Sequence, residues 1–597
     1  MQKQAKYIFL LLFTTAGLLV QAQVKQDTLS REVEVTKAYT PIISDANKLN
    51  SMPEIDEEEV EKPTFNYNIK SQPVFSTFSI TPLKAATIET EPIIQKGYGL
   101  VRAGLGTYYK PYGEIFFNNL NSKNTVFGIH ARHLSSHGDI KLKGGDKVDA
   151  PFMNNEVELF LKHTIQRSIL SVDLSLNHDA FNYYGYPEDP VPDPLLEGEQ
   201  DINYFGTKQA FTKGGIHIDF DDPAAEMDEE EFGFKLDYYF FGTKTDQREN
   251  FANLTFNLRK PMTSGVGLLD AGVEYAQVNN VTLPGDSVLG KTSSTILFAK
   301  PAWYIGDEKA NVKLGLNAWF VLQSDEETVA KLSPNIRANW SPVDEILKIY
   351  AGIDGAFQNN HYSKIAYENP FVDPDHYVKN SMQQFRFYGG FDGKMSKKTT
   401  YKISGEYAIN SDKPLYYLNE NYYLDAAYNP APLIVNNTFD ILYDDMNRLK
   451  LNAEILYASS SKMDLSLSVN YYSYQMDKQE EAWNLPTWDA TIALGYKITE
   501  QLSVSADIYL IGDRKALIVE HPDPTIAYPA NIILPGPVLK SYNLNTAFDL
   551  NLKGNYQITS KFSVFAQLNN FGFQQYERWF GYPVQSFNAL AGISYAF

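Results

Sequence analysis

The sequence predicts an all-β protein: a transmembrane antiparallel β-barrel of about 22 strands with an extended N-terminal segment. Three observations carry that expectation. Short segments alternate from about residue 97 to the end. Met463, Leu465, Leu467, Val469 and Tyr471 share one face, and Asp464, Ser466, Ser468 and Asn470 share the other. Leu502, Val504, Ala506, Ile508 and Leu510 repeat the pattern, as do Leu449, Leu451, Ala453, Ile455 and Tyr457 against Arg448, Lys450, Asn452 and Glu454. A strand has a side-chain period of two, so one face can be apolar and the other wet. A sandwich core does not accept charges along every second row; lipid outside and a watery lumen inside do.

The second observation is that connections alternate between tight and long. Tight ones fall at Asn121–Asn124, Gln166–Ser168, Gly306–Lys309, Ser396–Thr399, Ser459–Lys462 and Ile558–Lys561. Long ones, rich in Pro, Tyr, Asn and Asp, fall near 138–152, 183–203, 280–290, 360–380, 412–437, 476–487, 513–540 and 573–585. The third is composition. Helical periodicity is almost absent, no apolar run beyond the N-terminus could span a bilayer as a helix, and 40 Tyr and 36 Phe suit two aromatic girdles.

Taken in order, residues 1–22 read as a signal peptide. Lys3 and Lys6 form a basic start, Tyr7–Val20 is nearly all apolar, and Val20-Gln21-Ala22 offers cleavage before Gln23. Residues 23–96 form a periplasmic extension with Pro41, Pro53, Pro63, Pro73, Pro82 and Pro92 and the acidic run Glu54–Glu59. That composition predicts an extended or partly disordered segment. The barrel occupies 97–597. Its last strand carries Phe587, Ala589, Ala591, Ile593, Tyr595 and Phe597 on one face. Ending on an aromatic in such a strand resembles the C-terminal assembly signal of bacterial outer-membrane barrels. It implies the barrel-assembly machinery as a partner during biogenesis, with Tyr595 and Phe597 as the recognised residues. An even strand number puts both termini on the periplasmic side.

The barrel size and the stretch Asp27–Thr36 together resemble TonB-dependent receptors of the Bacteroidota type. The stretch has the form D-T-x-x-x-x-V-x-V-T, and Glu32, Val33, Glu34, Val35 and Thr36 match the short partner-binding TonB box. Such a segment can add as a strand to a partner's sheet edge. The sequence departs from the family in one respect. Only about 60 residues separate Thr36 from the first strand, too few for a complete plug domain. The resemblance implies an outer-membrane transport or channel protein, porin-like in lacking a full plug. The alternative is a non-transporting scaffold that anchors surface lipoproteins or periplasmic partners. Outer-membrane lipid is a partner in either case.

The chain carries a formal charge of −20, which argues against nucleic acid. It has no Cys, so no disulfide framework or thiolate metal site is expected. No G-x-S-x-G, P-loop or H-E-x-x-H motif occurs, and no enzyme activity, cofactor or metal is expected. His130, His133 and His137 are the densest histidine group, read as solvated rim residues. Asp219, Asp221, Asp222 and Asp228–Glu231 could offer hard oxygen ligands, but they read as a solvated acidic turn. The better candidates are loop aromatics: Tyr183, Tyr184 and Tyr186; Tyr416, Tyr417, Tyr422 and Tyr423; and Trp579. Rigid amphipathic rings suit ligand binding at low entropic cost. They equally suit a membrane-interface girdle.

Overall fold

The computed structural model describes residues 98–597, apart from 120–123, 144, 146, 186–202, 205–207, 223–228, 283–288, 325–326, 375, 425–432, 437, 460–461 and 521–536. The expected signal peptide, the extension and the box-like Glu32–Thr36 lie outside the described residues. Gly99–Phe597 forms a closed antiparallel barrel of 22 strands. Each strand pairs with its sequence neighbours in the barrel, and the first, Gly99–Gly106, closes the ring against the last, Asn588–Ala596. The register runs from Leu100↔Ala596 to Gly106↔Leu590. Phe597 finishes the seam, exchanging backbone hydrogen bonds with Gly99 at 3.0 Å each way. Gly99 is required there, because a Cβ would stand 2.4 Å from the Phe597 ring.

The alternation expected from the sequence sets the two faces. Leu449, Leu451 and Ile455 are exposed on the outer surface, while Lys450, Asn452 and Glu454 line a recess inside. Tyr595, Ile593 and Phe597 likewise face outward. Large exposed apolar side chains recur on every other residue around the ring, for example Leu159 and Leu161, Leu314 and Leu316, and Phe385 and Phe387. Such a surface would aggregate in water and is satisfied by hydrocarbon.

Both ends of the barrel chain lie on one side, with the tight turns. Gln166–Arg167, Thr263–Ser264, Asp307–Lys309, Lys397–Lys398 and Ile498–Gln501 close hairpins there. The longest connections are on the opposite side, between Ser136 and Phe152, Asn182 and Lys208, Gln358 and Ser381, Ile511 and Ala547, and Asn569 and Asn588. One boundary differs from expectation. The stretch expected as a loop near 412–437 continues the strand Thr399–Leu424, which pairs with Phe439–Ser459 as far as Leu418↔Phe439. A strand needs about 9–11 residues to cross a bilayer, so this pair rises well beyond it on the loop side. Aromatic and β-branched residues such as Tyr416 and Tyr417 hold extended structure wherever a partner is present. On that tall wall the loop hairpin Arg514–Glu520 and Val538–Leu544 adds further strands, Tyr417 pairing in parallel with Leu517.

Replacing Leu451 by Arg is expected to destabilise the barrel by about 2–4 kcal/mol, because the charge would sit in lipid near the bilayer midplane. Glu454→Gln on the lumen face is expected to change stability by less than about 0.5 kcal/mol. Denaturant unfolding of both variants in liposomes, read by tryptophan fluorescence, checks this.

Candidate functional site: a loop roof over a charged lumen

At a strand spacing of about 4.8 Å and a tilt near 40°, a ring of 22 strands is about 45 Å across. Loops rooted around such a ring meet only by reaching over its mouth. Three do so. Phe371, from the connection between Leu347–Gln358 and Ser381–Ser396, stacks on Tyr582 at 3.7 Å between ring centroids. Tyr582 belongs to the connection before the last strand. Tyr184, from the connection after Ser168–Asn182, packs on both, 5.1 Å from Tyr582 and 5.8 Å from Phe371. Its hydroxyl donates to the Pro583 carbonyl at 2.9 Å.

Around these rings lies a continuous apolar core. Tyr183, Phe211, Phe241, Tyr362, Ile365, Val372, Tyr416, Phe439, Ile518, Leu544 and Trp579 are buried together. Phe439 and Val372 are wholly shielded. Trp579 meets Tyr416 edge-on at 5.2 Å and Phe439 at 5.6 Å. Buried Arg514 locks the hairpin beneath, donating to the carbonyls of Arg578 at 2.6 Å and Glu577 at 2.7 Å. Rigid rings of this kind lose few torsions when packed and bury much area each.

The one helix among the described residues, Tyr362–Glu368, sits at the hub of this roof. Its first turn is fixed to the barrel wall by Glu249, which is 1% exposed. The Glu249 carboxylate accepts from the Ser363 backbone N–H at 3.1 Å, the Ser363 hydroxyl at 2.6 Å and the Tyr239 hydroxyl at 2.9 Å. It therefore supplies the cap that the helix does not provide for itself. His361 lies 3.6 Å away. Burial pushes its imidazole below the ordinary histidine value, against the opposing pull of the Glu249 charge. The Lys213 amine sits over the Tyr239 ring at 3.9 Å.

The lumen wall below is polar and densely ion-paired. An open recess of about 740 Å³ is lined by charged residues that include Arg337, Asp354, Arg386, Lys402, Glu406 and Lys450. Arg386 grips Asp354 with two hydrogen bonds of 2.9 and 2.6 Å, and Glu406 bridges Arg386 and Arg448. Nearer the turn side, a second recess gathers Arg102, Lys462, Lys497 and Lys553.

The sequence-derived candidates fall into different settings. Tyr183, Tyr184, Tyr416 and Trp579 are brought together in the roof core, Tyr183 and Tyr184 packing on Phe371 and Tyr416 on Trp579. Tyr417 is half-buried and donates to Asp440 at 3.1 Å. Tyr422 and Tyr423 continue the strand that pairs with Leu433–Asn436, and Tyr186 lies outside the described residues. Most of the acidic turn is ion-paired locally: Asp219 pairs with Lys235, Asp222 and Glu229 with Arg167, Glu230 with Lys260 and Glu231 with Arg259. His133 bonds to Asn155, and His137 meets Tyr109 edge-on, both away from His130. Sequence reading missed Glu249, Phe371 and Tyr582 as a unit, because nothing local marks a lone carboxylate or ring as a long-range contact.

No family model and no curated protein matches the chain. Solved structures do. The ferripyoverdine receptor of the outer membrane of Pseudomonas aeruginosa aligns with a TM-score of 0.58 at 12% identity, over 85% of this chain and 72% of that one. The siderophore receptor PirA from Acinetobacter baumannii gives 0.56 at 12%, over 85% and 81%. The copper transporter OprC gives 0.54 at 13%, over 84% and 80%. The chain shares the fold of outer-membrane receptor barrels of the TonB-dependent kind.

Glu249→Ala removes three hydrogen bonds to a buried carboxylate, a loss of about 2–4 kcal/mol of docking energy. Amide exchange across 362–372 is expected to accelerate at least tenfold, with the barrel strands unchanged. The docked helix favours neutral His361. Its contribution is full above about pH 6.5, the ordinary histidine value, and falls as pH drops below it. Protection of the same amides, corrected for intrinsic exchange, is expected to weaken between pH 7 and 5, and less so in His361→Gln.

Proposed function

We propose that this protein is an outer-membrane transport barrel of the TonB-dependent receptor type whose own surface loops shut its outer mouth at rest. The observation that carries the reading is the meeting of Tyr184, Phe371 and Tyr582 over the mouth. In this reading the loop side faces outward and the turn side, with both chain ends, faces the periplasm. Solute passes along a lumen lined by Arg337, Asp354, Arg386 and Glu406 once the roof lifts. The roof sequesters the lumen as an enzyme lid sequesters a site, by a hinge-type displacement of a packed loop.

The N-terminal extension supplies the remaining parts of the proposal. Glu32–Thr36 would add as a strand to a periplasmic energy-coupling partner such as TonB. The extension, in place of a complete plug, would govern the periplasmic mouth. Tyr595 and Phe597 would guide insertion by the assembly machinery. A scaffold that holds surface lipoproteins would present its loop aromatics outward, whereas Tyr183, Tyr416, Trp579 and Tyr582 are buried in the roof core.

Planar-bilayer conductance tests the reading. The mature chain is expected to stay closed, and deletion of 24–95 alone to open it only briefly. Phe371→Ala with Tyr582→Ala in the deleted chain is expected to give large, steady channels. If the doubly altered chain conducts no more than the mature one, the roof is not the outer barrier.

A further inference from the structure

The lumen wall holds one constellation that the transport reading does not use. His130 lies on the strand Thr125–Ser136, directly opposite Glu158 on Phe152–Ile165. Their neighbours Val157 and Leu159 are exposed outward, so Glu156 and Glu158 face the lumen with His130. Ligand atoms of His130, Glu156 and Glu158 lie within 4.8 Å of one another.

Three features make this more than a crowd of charges. The ring is held flat on Phe116, 4.2 Å between centroids and 5° between planes. Its Nε2 is 3.1 Å from Glu114 Oε1. A proton on Nε2 donated to Glu114 leaves the Nδ1 lone pair free on the side of Glu158, and carboxylate support of the far nitrogen is the usual arrangement behind a metal-bound histidine. Finally, Nδ1 stands 3.8 Å from Glu158 Oε2. That is too long for a hydrogen bond. It is close to the ~3.4 Å separating two ligands of one tetrahedral ion with bonds of about 2.1 Å.

We propose that His130, Glu158 and Glu156 bind one divalent cation of the Zn²⁺ class on the lumen wall. Glu114 acts as a positioning residue. One imidazole with carboxylates suits a borderline ion better than Ca²⁺ or Mg²⁺. Three carboxylates face two guanidiniums here, since Arg102 pairs with Glu114 at 3.3 Å and Arg132 with Glu156 at 2.9 Å. The site is thus one charge negative before the ion enters. Arg132 competes for Glu156 and keeps the affinity moderate, as an exchangeable site on a passage requires. The site stands whatever the barrel transports.

Zn²⁺ titration of the purified mature chain in detergent tests this, with heat-modifiable gel migration reporting the fold. One ion is expected to bind in the micromolar range. His130→Gln and Glu158→Gln each weaken it at least tenfold, His133→Gln leaves it unchanged, and Arg132→Gln tightens it about fivefold by freeing Glu156. Bound Cu²⁺ is expected to show coupling to one nitrogen, lost in His130→Gln. Absence of saturable binding in the mature chain overturns the proposal. So does binding indifferent to both His130→Gln and Glu158→Gln, the signature of an adventitious ion on the acidic surface.

Discussion

Hydrocarbon offers no hydrogen-bond partner, so every backbone amide that crosses it must be paired within the protein. The seam between Gly99–Gly106 and Asn588–Ala596 meets that demand by leaving the sheet no edge. Everything else follows from closure. Once the ring is closed, each strand has one face in lipid and one in the lumen, and the period of two becomes an apolar row against a charged one. Opening the seam would expose a full row of unpaired amides to lipid, at several kcal/mol for each group. The position of Phe597 against Gly99 therefore matters beyond its own contact area.

A closed ring of this size creates a second problem, a wide mouth. The structure meets it on the loop side with packed rings and with short strand pairings between loops, such as Val435 with Tyr204 and Val372 with Phe439. Tyr184, Phe371 and Tyr582 come from distant points of the ring and share one core. Buried Glu249 ties the hub helix to the wall by hydrogen bonds that vanish together if the helix lifts. Apolar packing gives the roof its cohesion. The single buried carboxylate gives it one defined seat, and removing its partners would strand a charge in a dry place. A closure with one anchored seat can open as a unit.

Much of the barrel was legible in the sequence, because its rules are local. Alternation such as Leu449–Lys450–Leu451–Asn452 needs only the strand period, and turns such as Gln166–Arg167 need only two residues between alternating runs. The roof was not legible. Tyr183, Tyr416 and Trp579 read equally as a girdle or a ligand platform from sequence. Only tertiary contact with Phe371 and Phe439 decides their surroundings. The strand Thr399–Leu424 outran its expected end because its partner strand, not its own composition, fixes its length. His130 shows the same limit: its spacing to His133 and His137 was visible, but the residues that face it lie on the strands to either side. Glu32–Thr36 lies outside the described residues.

The most direct measurement uses the absence of native cysteine. Lys213 and Tyr367 lie outside the buried rings, with the Lys213 amine 5.3 Å from the Tyr367 ring. In the sheet, the strands from Glu231–Thr243 to Val329–Val343 separate the strand of Lys213 from the root of the Tyr367 loop. Lys213→Cys with Tyr367→Cys, treated with a short bis-maleimide in native membranes, is predicted to cross-link in most molecules. A correctly folded barrel in which both cysteines react singly but never join would contradict a roof that spans the mouth.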